Sequence, residues 1–254
     1  KPWVGPEDVE VLRWPIYRFR ESMTQEWRRE RIFLIGDAAH TLWPFAGEGM
    51  CNGLRDAASI TWRMDLVLRG LASEQIFDTY QEDRQPNMQG WTDYSREIGL
   101  PCIVMDQDAA AGRDQFLFAV QQDPSLMPPV TVPPGPTAFS REGDATAGAV
   151  AVQGRIRGAH AEGLLDAVAG RGFQLITNRS EVIDGLTDAD RAAIERIGGS
   201  IILVGAPGSG APYEDVDGTY AEWFASLDRV AVLARPDYYL FGSATSVDDV
   251  HELV

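Results

Sequence analysis

The stretch RIFLIGDAAHTLWPFAGEGMCNG, residues 31–53, gathers groups able to hold a polar ligand. Asp37 comes one residue after Gly36, directly beyond the apolar run at residues 32–35, and a carboxylate there accepts hydrogen bonds from hydroxyls. Gly47 and Gly49 permit close approach of backbone to a ligand, and Met50, Cys51 and Asn52 open a helical pattern behind them. A helix N-terminus offers unpaired amide donors and roughly half a positive charge, so it favours an anion or an electron-rich carbonyl. Together these groups suit a nucleotide-like cofactor. On residue types alone the segment is equally a plain strand-to-loop turn with its glycines used for packing. His40 reads as an ordering residue that bonds backbone rather than as an acid or base, and Cys51 as an unreactive thiol. Trp43 and Phe45 suit a pocket wall and a core alike.

The elements that must position these groups follow from periodicity. The run at 32–35 reads as a buried parallel strand that presents Asp37 at the crevice beyond its carboxyl end. Upstream, residues 9–20 alternate partly between apolar and charged, which predicts a half-exposed strand pair broken at Pro15, then a helical turn between Met23 and Trp27. Residues 50–68 carry Leu54, Ala57, Ala58, Thr61, Trp62, Asp65, Leu66 and Val67 at helical spacing and predict a long helix. A second helix begins after Ser73, with Pro86 as a kink or break, and a third covers residues 107–121. Residues 123–148 hold Pro124, Pro128, Pro129, Pro133, Pro134 and Pro136 and read as a semi-rigid linker.

Beyond the linker, strands at 173–177, 201–205, 230–234 and 238–242 alternate with a helix at 187–197 and a mixed segment at 220–224. Ser246 and Asp249 have N-cap spacing for a final helix. The glycines of residues 205–210 read as a loop, because Pro212 and Tyr213 spoil a helix opening.

A net charge of −16 opposes any phosphate backbone or anionic membrane surface, so nucleic acid is not an expected partner. The only lysine is Lys1, which excludes an internal Walker A lysine. Cys51 and Cys102 form neither a C-x-x-C nor a zinc spacing, so no metal is expected and a reducing cytoplasm is the expected setting. No apolar stretch reaches the roughly 18 residues of a membrane span.

The run RIFLIGDAAH, then PFAGEGM, then GLRDAASITWRMDLVLRG resembles the second FAD motif of the class A flavoprotein aromatic hydroxylases, nearest to the 3-(3-hydroxyphenyl)propionate and phenol hydroxylase group. Tyr80 to Pro86 resembles the family's Tyr-x-x-Glu-Arg-x-Pro, with Asp83 in the Glu place. The resemblance implies that Asp37 accepts a hydrogen bond from a ribityl hydroxyl of FAD and that Pro44 lies along the flavin ring. It places Gly36 and Gly47 in the surrounding turns, and Gly49 with the amides of Met50 and Cys51 at the pyrimidine edge of the ring. Family members commonly have Asn where this chain has Cys51, with Asn52 one place later, so only a backbone contact carries over. Glu48 is expected to point to solvent, since an inward carboxylate would oppose a reduced, anionic flavin.

The family's first FAD motif, G-x-G-x-x-G, is not spelled before residue 31, so the chain reads as the second half of such an enzyme. The fold class implied is α/β. Residues 1–122 would be the end of a substrate domain plus the C-terminal part of a Rossmann-like FAD-binding domain. Residues 123–148 would be the linker, and residues 149–254 a thioredoxin-like domain without dithiol chemistry. The function implied is hydroxylation of a small phenolic substrate with FAD, NAD(P)H and dioxygen, in company with the missing N-terminal half and as a homodimer. A polyketide-type tailoring hydroxylase and a non-catalytic thioredoxin-like dimerisation module with a remnant flavin site are the alternatives. No catalytic residue is assigned.

Overall fold

Residues 5, 7–127, 129 and 132–254 are described by the computed structural model. Lys1 and the linker residue Pro128 lie outside them. The chain opens with four two-residue strands, β1 (Ser22–Met23), β2 (Arg28–Arg29), β3 (Ile32–Phe33) and β4 (His40–Thr41), which pair antiparallel as β1 with β4 and β2 with β3. Residues 32–35 therefore do not form the buried parallel strand expected of them. Glu30, at φ 52°, turns β3 back onto β2, and Ile32 is 69% exposed. Residues 9–20 form no strand, and Leu12, Trp14 and Ile16 are exposed, because no described strand lies beside them. Between Met23 and Trp27 the backbone is not helical: Met23 belongs to β1, and Trp27 fills the centre of a small core.

Two long helices stand behind this ribbon, α1 (Gly49–Leu68) and α2 (Asp78–Gly99), and α2 runs straight through Pro86. Of the apolar positions expected to recur on α1, Trp62 and Leu66 are buried, but much of its buried side is polar. It carries Asn52, Asp56, Ser59, Ile60 and Arg63, whereas Leu54 and Thr61 face outward. The reason lies on α2, which presents Asp83 and Arg84 to α1, so these polar groups are buried as bonded partners rather than as loose charges. A third helix, α3 (Gln107–Gln122), has no buried residue at all.

The proline-rich segment is strapped down rather than free. Asn87 donates to the Pro134 carbonyl at 2.8 Å, the Ala138 amide donates to Asp83 at 2.6 Å, and the Phe139 ring lies 5.1 Å from Trp62.

The rest of the chain builds one mixed sheet from β5 (Arg155–Arg157), β6 (Glu162–Leu164), β7 (Gln174–Thr177), β8 (Ser200–Gly205), β9 (Tyr213–Asp215), β10 (Ala231–Ala234) and β11 (Leu240–Ala244). Their order is β11-β10-β7-β8-β9-β5-β6, parallel across β7, β8 and β9 and antiparallel elsewhere. The helices are α4 (Leu165–Val168), α5 (Ser180–Gly185), α6 (Asp188–Arg196), α7 (Thr219–Leu227) and α8 (Val247–Leu253). Every residue of β7 and β10 is buried, because apolar layers cover both faces, one around Tyr220 and Phe224, the other around Val182 and Ile194. Residues 205–210 leave β8 as a turn, and α8 is capped by Ser246 as its spacing suggests. The α/β class is thus the one expected, whereas β5, β6 and β9 carry no hydrophobic run and escape a periodicity reading.

Candidate functional site

Asp37 sits in a one-turn 3-10 helix, Gly36–Ala38, with its side chain exposed and, among the described residues, with no hydrogen bond or ion pair. The loop then returns through β4 and a second 3-10 turn, Pro44–Ala46, to the start of α1. Gly47 closes that turn at φ 68°, a left-handed conformation that strains any residue with a Cβ. This path brings Asp37, Pro44, Gly47, Gly49 and Met50 onto the wall of one cleft of about 590 Å³. Residues 17–20 and 41–43 complete it. Such a volume falls within the roughly 300–1,000 Å³ of small-molecule clefts.

Two features of the wall suit a ring system with an electron-rich edge. Glu48 occupies the N-cap of α1 but its side chain does not bond the first-turn amides, so the helix end keeps its donors for something else. An added Cβ at Gly47 would meet nothing within 4 Å, and at Gly49 only Leu42 at 3.8 Å, so the backbone lies bare to the cleft. Phe19 and Trp43, both on the cleft wall, pack edge to face at 5.5 Å, and Phe45 backs the two rings from outside the lining at 5.6 and 6.1 Å. The residues present therefore fit a flat, conjugated, hydroxyl-bearing ligand such as FAD.

Beneath the wall lies a buried polar network. Asp56 Oδ2 accepts from the Gly36 amide at 2.9 Å and lies 2.7 Å from His40 Nε2, while its Oδ1 accepts from Arg84 Nε at 2.8 Å. Arg84 donates from Nη2 to Asn52 Oδ1 at 2.9 Å and from Nη1 to Asn87 Oδ1 at 2.7 Å, and Asn52 Nδ2 donates to the Glu48 carbonyl at 3.0 Å. Burial alone would raise the Asp56 carboxyl, but the bonds from His40, Arg84 and the Gly36 amide hold it below the usual carboxylate range. Burial also drives the Tyr80 hydroxyl up, helped by the nearby Asp56 charge, while that hydroxyl donates to the Leu34 carbonyl at 3.0 Å.

Four sequence expectations meet this geometry differently. The Asn52 side chain serves the network and is wholly buried, so it does not face the cleft. Cys51 is half-buried outside the cleft lining, which leaves only its backbone for the role expected. Glu48 neither points freely to solvent nor lines the cleft; it turns aside to Arg55 at 2.6 Å. His40 is structural, as expected, but its partner is the Asp56 carboxylate rather than backbone, and its Nδ1 has no hydrogen-bond partner. The network itself was missed by sequence reading. Its only signal was polar residues at positions 52, 56, 59 and 63, one stripe of a helix.

Comparison with known proteins finds two family models and a set of hydroxylases that this chain resembles. Residues 6–95 match the family model "FAD binding domain", and residues 148–254 match "HcaD C-terminal domain". A probable NADH-specific resorcinol 4-hydroxylase of Rhodococcus jostii (strain RHA1) is 35% identical over 95% of this chain and 45% of its own length. A 3-(3-hydroxy-phenyl)propionate/3-hydroxycinnamic acid hydroxylase of Burkholderia cenocepacia (strain HI2424) is 29% identical over 94% of this chain and 48% of its own. The chain spans about half the length of the curated relatives it matches.

Among solved structures, the flavin-dependent monooxygenase PieE, in complex with FAD and substrate, superposes with a TM-score of 0.64 at 22% identity, over 93% of this chain and 48% of that one. Aklavinone-11 hydroxylase with FAD and aklavinone gives 0.63 at 18% identity, over 91% and 43%. These two share the fold. With an FAD-binding-domain match at one end and an HcaD C-terminal-domain match at the other, the chain is similar to a part, about half in length, of hydroxylases such as these relatives.

Proposed function

We propose that this chain supplies one wall of the FAD site in a monooxygenase that hydroxylates a phenolic ring with NAD(P)H and dioxygen. The observation that carries the reading is the shared cleft of an uncommitted carboxylate, Asp37, and the uncapped amides at the start of α1. Bound FAD supplies the redox chemistry, taking electrons from the nicotinamide and activating dioxygen. The chain's own part is placement. Asp37 accepts from a ribityl hydroxyl, Pro44 flanks the ring, and Gly36 and Gly47 let the two turns close. Gly49 and the Met50 and Cys51 amides stabilise negative charge on the ring edge through the helix end. The phenolic substrate class rests on the resorcinol and hydroxyphenylpropionate hydroxylases among the relatives.

The reading extends to domains, partners and setting. The boundaries at 122 and 148 belong to it, as does a partner polypeptide equivalent to the other half of the relatives. Homodimerisation is supported by α3, which buries nothing and exposes Phe116, Leu117 and Phe118. Two free cysteines suit a reducing cytoplasm, and no helix among the described residues is long and apolar enough to cross a membrane.

Titration of the labelled 254-residue chain with FAD, followed by amide chemical shifts, tests the site. Binding by this chain alone is expected to be weak, because it spans about half of the relatives' length. Shifts should centre on Asp37 and residues 47–51 and be lost in Asp37→Ala. No shift at millimolar FAD, or shifts confined elsewhere, overturns the placement.

A further inference from the structure

The Asp37 cleft is positive in a chain that is strongly negative. Acidic residues outnumber basic ones 38 to 22, and Arg28, Arg63, Arg84, Arg141 and Arg235 each meet a carboxylate. Arg18 and Arg20 do not. Both are exposed and line the cleft, and among the described residues neither makes a hydrogen bond or ion pair, with Asp37 or with any other group. The carboxylates nearest in sequence to the cleft residues are taken elsewhere, Glu21 by Arg96 and Glu48 by Arg55. The lining keeps two guanidiniums against the one carboxylate of Asp37. A concavity of one sign on a body of the other gathers its counter-ion.

The residue between the two arginines holds them in place. β1 pairs with β4 in a register that, continued toward the N-terminus, sets residues 18–20 beside residues 43–45, and the Phe19 ring lies 5.5 Å from Trp43 and 5.6 Å from Phe45. Arg18 and Arg20 therefore flank an anchored ring, with Tyr17 and Trp43 on the same wall. Aromatic surface adjoining two forked cations suits a ligand that joins an aromatic ring to a carboxylate, whereas a neutral phenol leaves both forks without an acceptor.

We propose that Arg18 and Arg20 are specificity-determining residues of the cleft: they take the carboxylate of an aromatic acid, so that the phenolic ligand beside the flavin is an acid rather than a neutral phenol. The inference rests on the flavin reading of the cleft and deepens it by naming the substrate class. The relatives' names divide on this point, since resorcinol is neutral and hydroxyphenylpropionate carries a carboxylate.

Two probes with the same ring make the distinction, 3-(3-hydroxyphenyl)propionate and the neutral 3-propylphenol. Each is titrated by amide chemical shift at residues 17–20 and 43–44 into the wild-type chain, the Arg18→Gln/Arg20→Gln double variant and Arg13→Gln, which removes an exposed arginine outside the cleft lining. The wild-type chain should bind the acid about tenfold tighter than the phenol, the increment of one charge-assisted hydrogen bond. The double variant should bring that ratio to about one with the phenol affinity within twofold, and Arg13→Gln should keep the wild-type ratio. No preference for the acid in the wild-type chain, a preference that survives in the double variant, or equal loss of both probes there overturns the assignment. ADP-ribose shifts that depend on the two arginines while the acid is indifferent to them also overturn it, in favour of a phosphate. Riboflavin titrated into the same wild-type sample separates the two readings: if its shifts at Asp37 and residues 47–51 persist while neither ring probe binds, the acid assignment falls alone, and if they are absent, the flavin reading falls with it.

Discussion

Arg235 Nη2 lies 3.0 Å from Asp83 Oδ2, with both side chains wholly buried, and this pair joins the turn after β10 to the middle of α2. Arg63 of α1 reaches the same Asp83 oxygen, and Asp237 holds Arg235 in a fork at 3.0 and 2.6 Å. The Trp62 indole donates to Asp237 at 3.0 Å and lies under both guanidinium groups, 4.2 Å from Arg63 and 5.3 Å from Arg235. Two cations and two anions therefore balance in a site without water access. Burial pulls Arg63 down to about 10 even with Asp83 beside it. Asp83→Asn would leave two buried guanidinium groups facing one carboxylate. Its expected cost is about 3–5 kcal/mol in urea unfolding, the range for breaking a buried pair. A loss under 1 kcal/mol would show that solvent enters this junction.

Stability should fall in acid through Asp56. Its folded-state value lies below 3.8, so its contribution is complete above that pH and disappears as pH falls through the lowered value. Unfolding free energy measured from pH 6 down to pH 2 should therefore be flat first and drop below about pH 4. Asp56→Asn should be less stable near neutrality and show a shallower acid fall; an unchanged slope would remove Asp56 from the account.

Gly99 ends α2 against Phe45, which backs the Phe19 and Trp43 rings of the cleft wall, and an added Cβ would overlap the Phe45 ring. Gly99→Ala gains helix propensity yet must displace Phe45, and overpacking of this kind costs about 1–3 kcal/mol. The displaced ring leans on Trp43 and Phe19, so flavin-induced shifts at Pro44's neighbours should weaken more than thermal stability does. Wild-type titration behaviour in Gly99→Ala would show that Phe45 plays no part.

Gly36 and Gly47 separate two kinds of strain. Both adopt left-handed backbone, φ 55° and 68°, so alanine at either should cost about 1–2 kcal/mol for the conformation. At Gly47 the space is open, and the cost should stop there. Gly36 also donates its amide to Asp56, and an added Cβ would stand 3.6 Å from the Gly53 Cα, so Gly36→Ala, by disturbing that bonded turn, should additionally raise hydrogen exchange across residues 36–40. Equal exchange profiles for the two variants would contradict this.

Much of the cleft wall was legible because it is built from backbone turns and a helix start. Glycines before and after Asp37 and at the head of α1 announce turns and helix starts whatever surrounds them, and the helices at 49–68 and 107–122 were readable from spacing alone. What was not legible was which side of α1 faces inward. Trp62 and Leu66 are core as their spacing suggests, but Leu54 is exposed and the first turns bury polar groups that Arg84 and Asp83 on another helix bond, and a partner across space leaves no trace in local periodicity.

By itself the sequence determined the α/β class, the Gly-Asp turn and the helix behind it, because those depend on residues close together in the chain. Only the tertiary structure decided that residues 32–35 fold back as a hairpin, that the proline-rich segment is a strap, and that Asn52 turns to Arg84 rather than to the cleft. The physical reason is common to all three. A buried polar group adopts whichever orientation completes its hydrogen bonds, and its partners come from segments that only folding brings together.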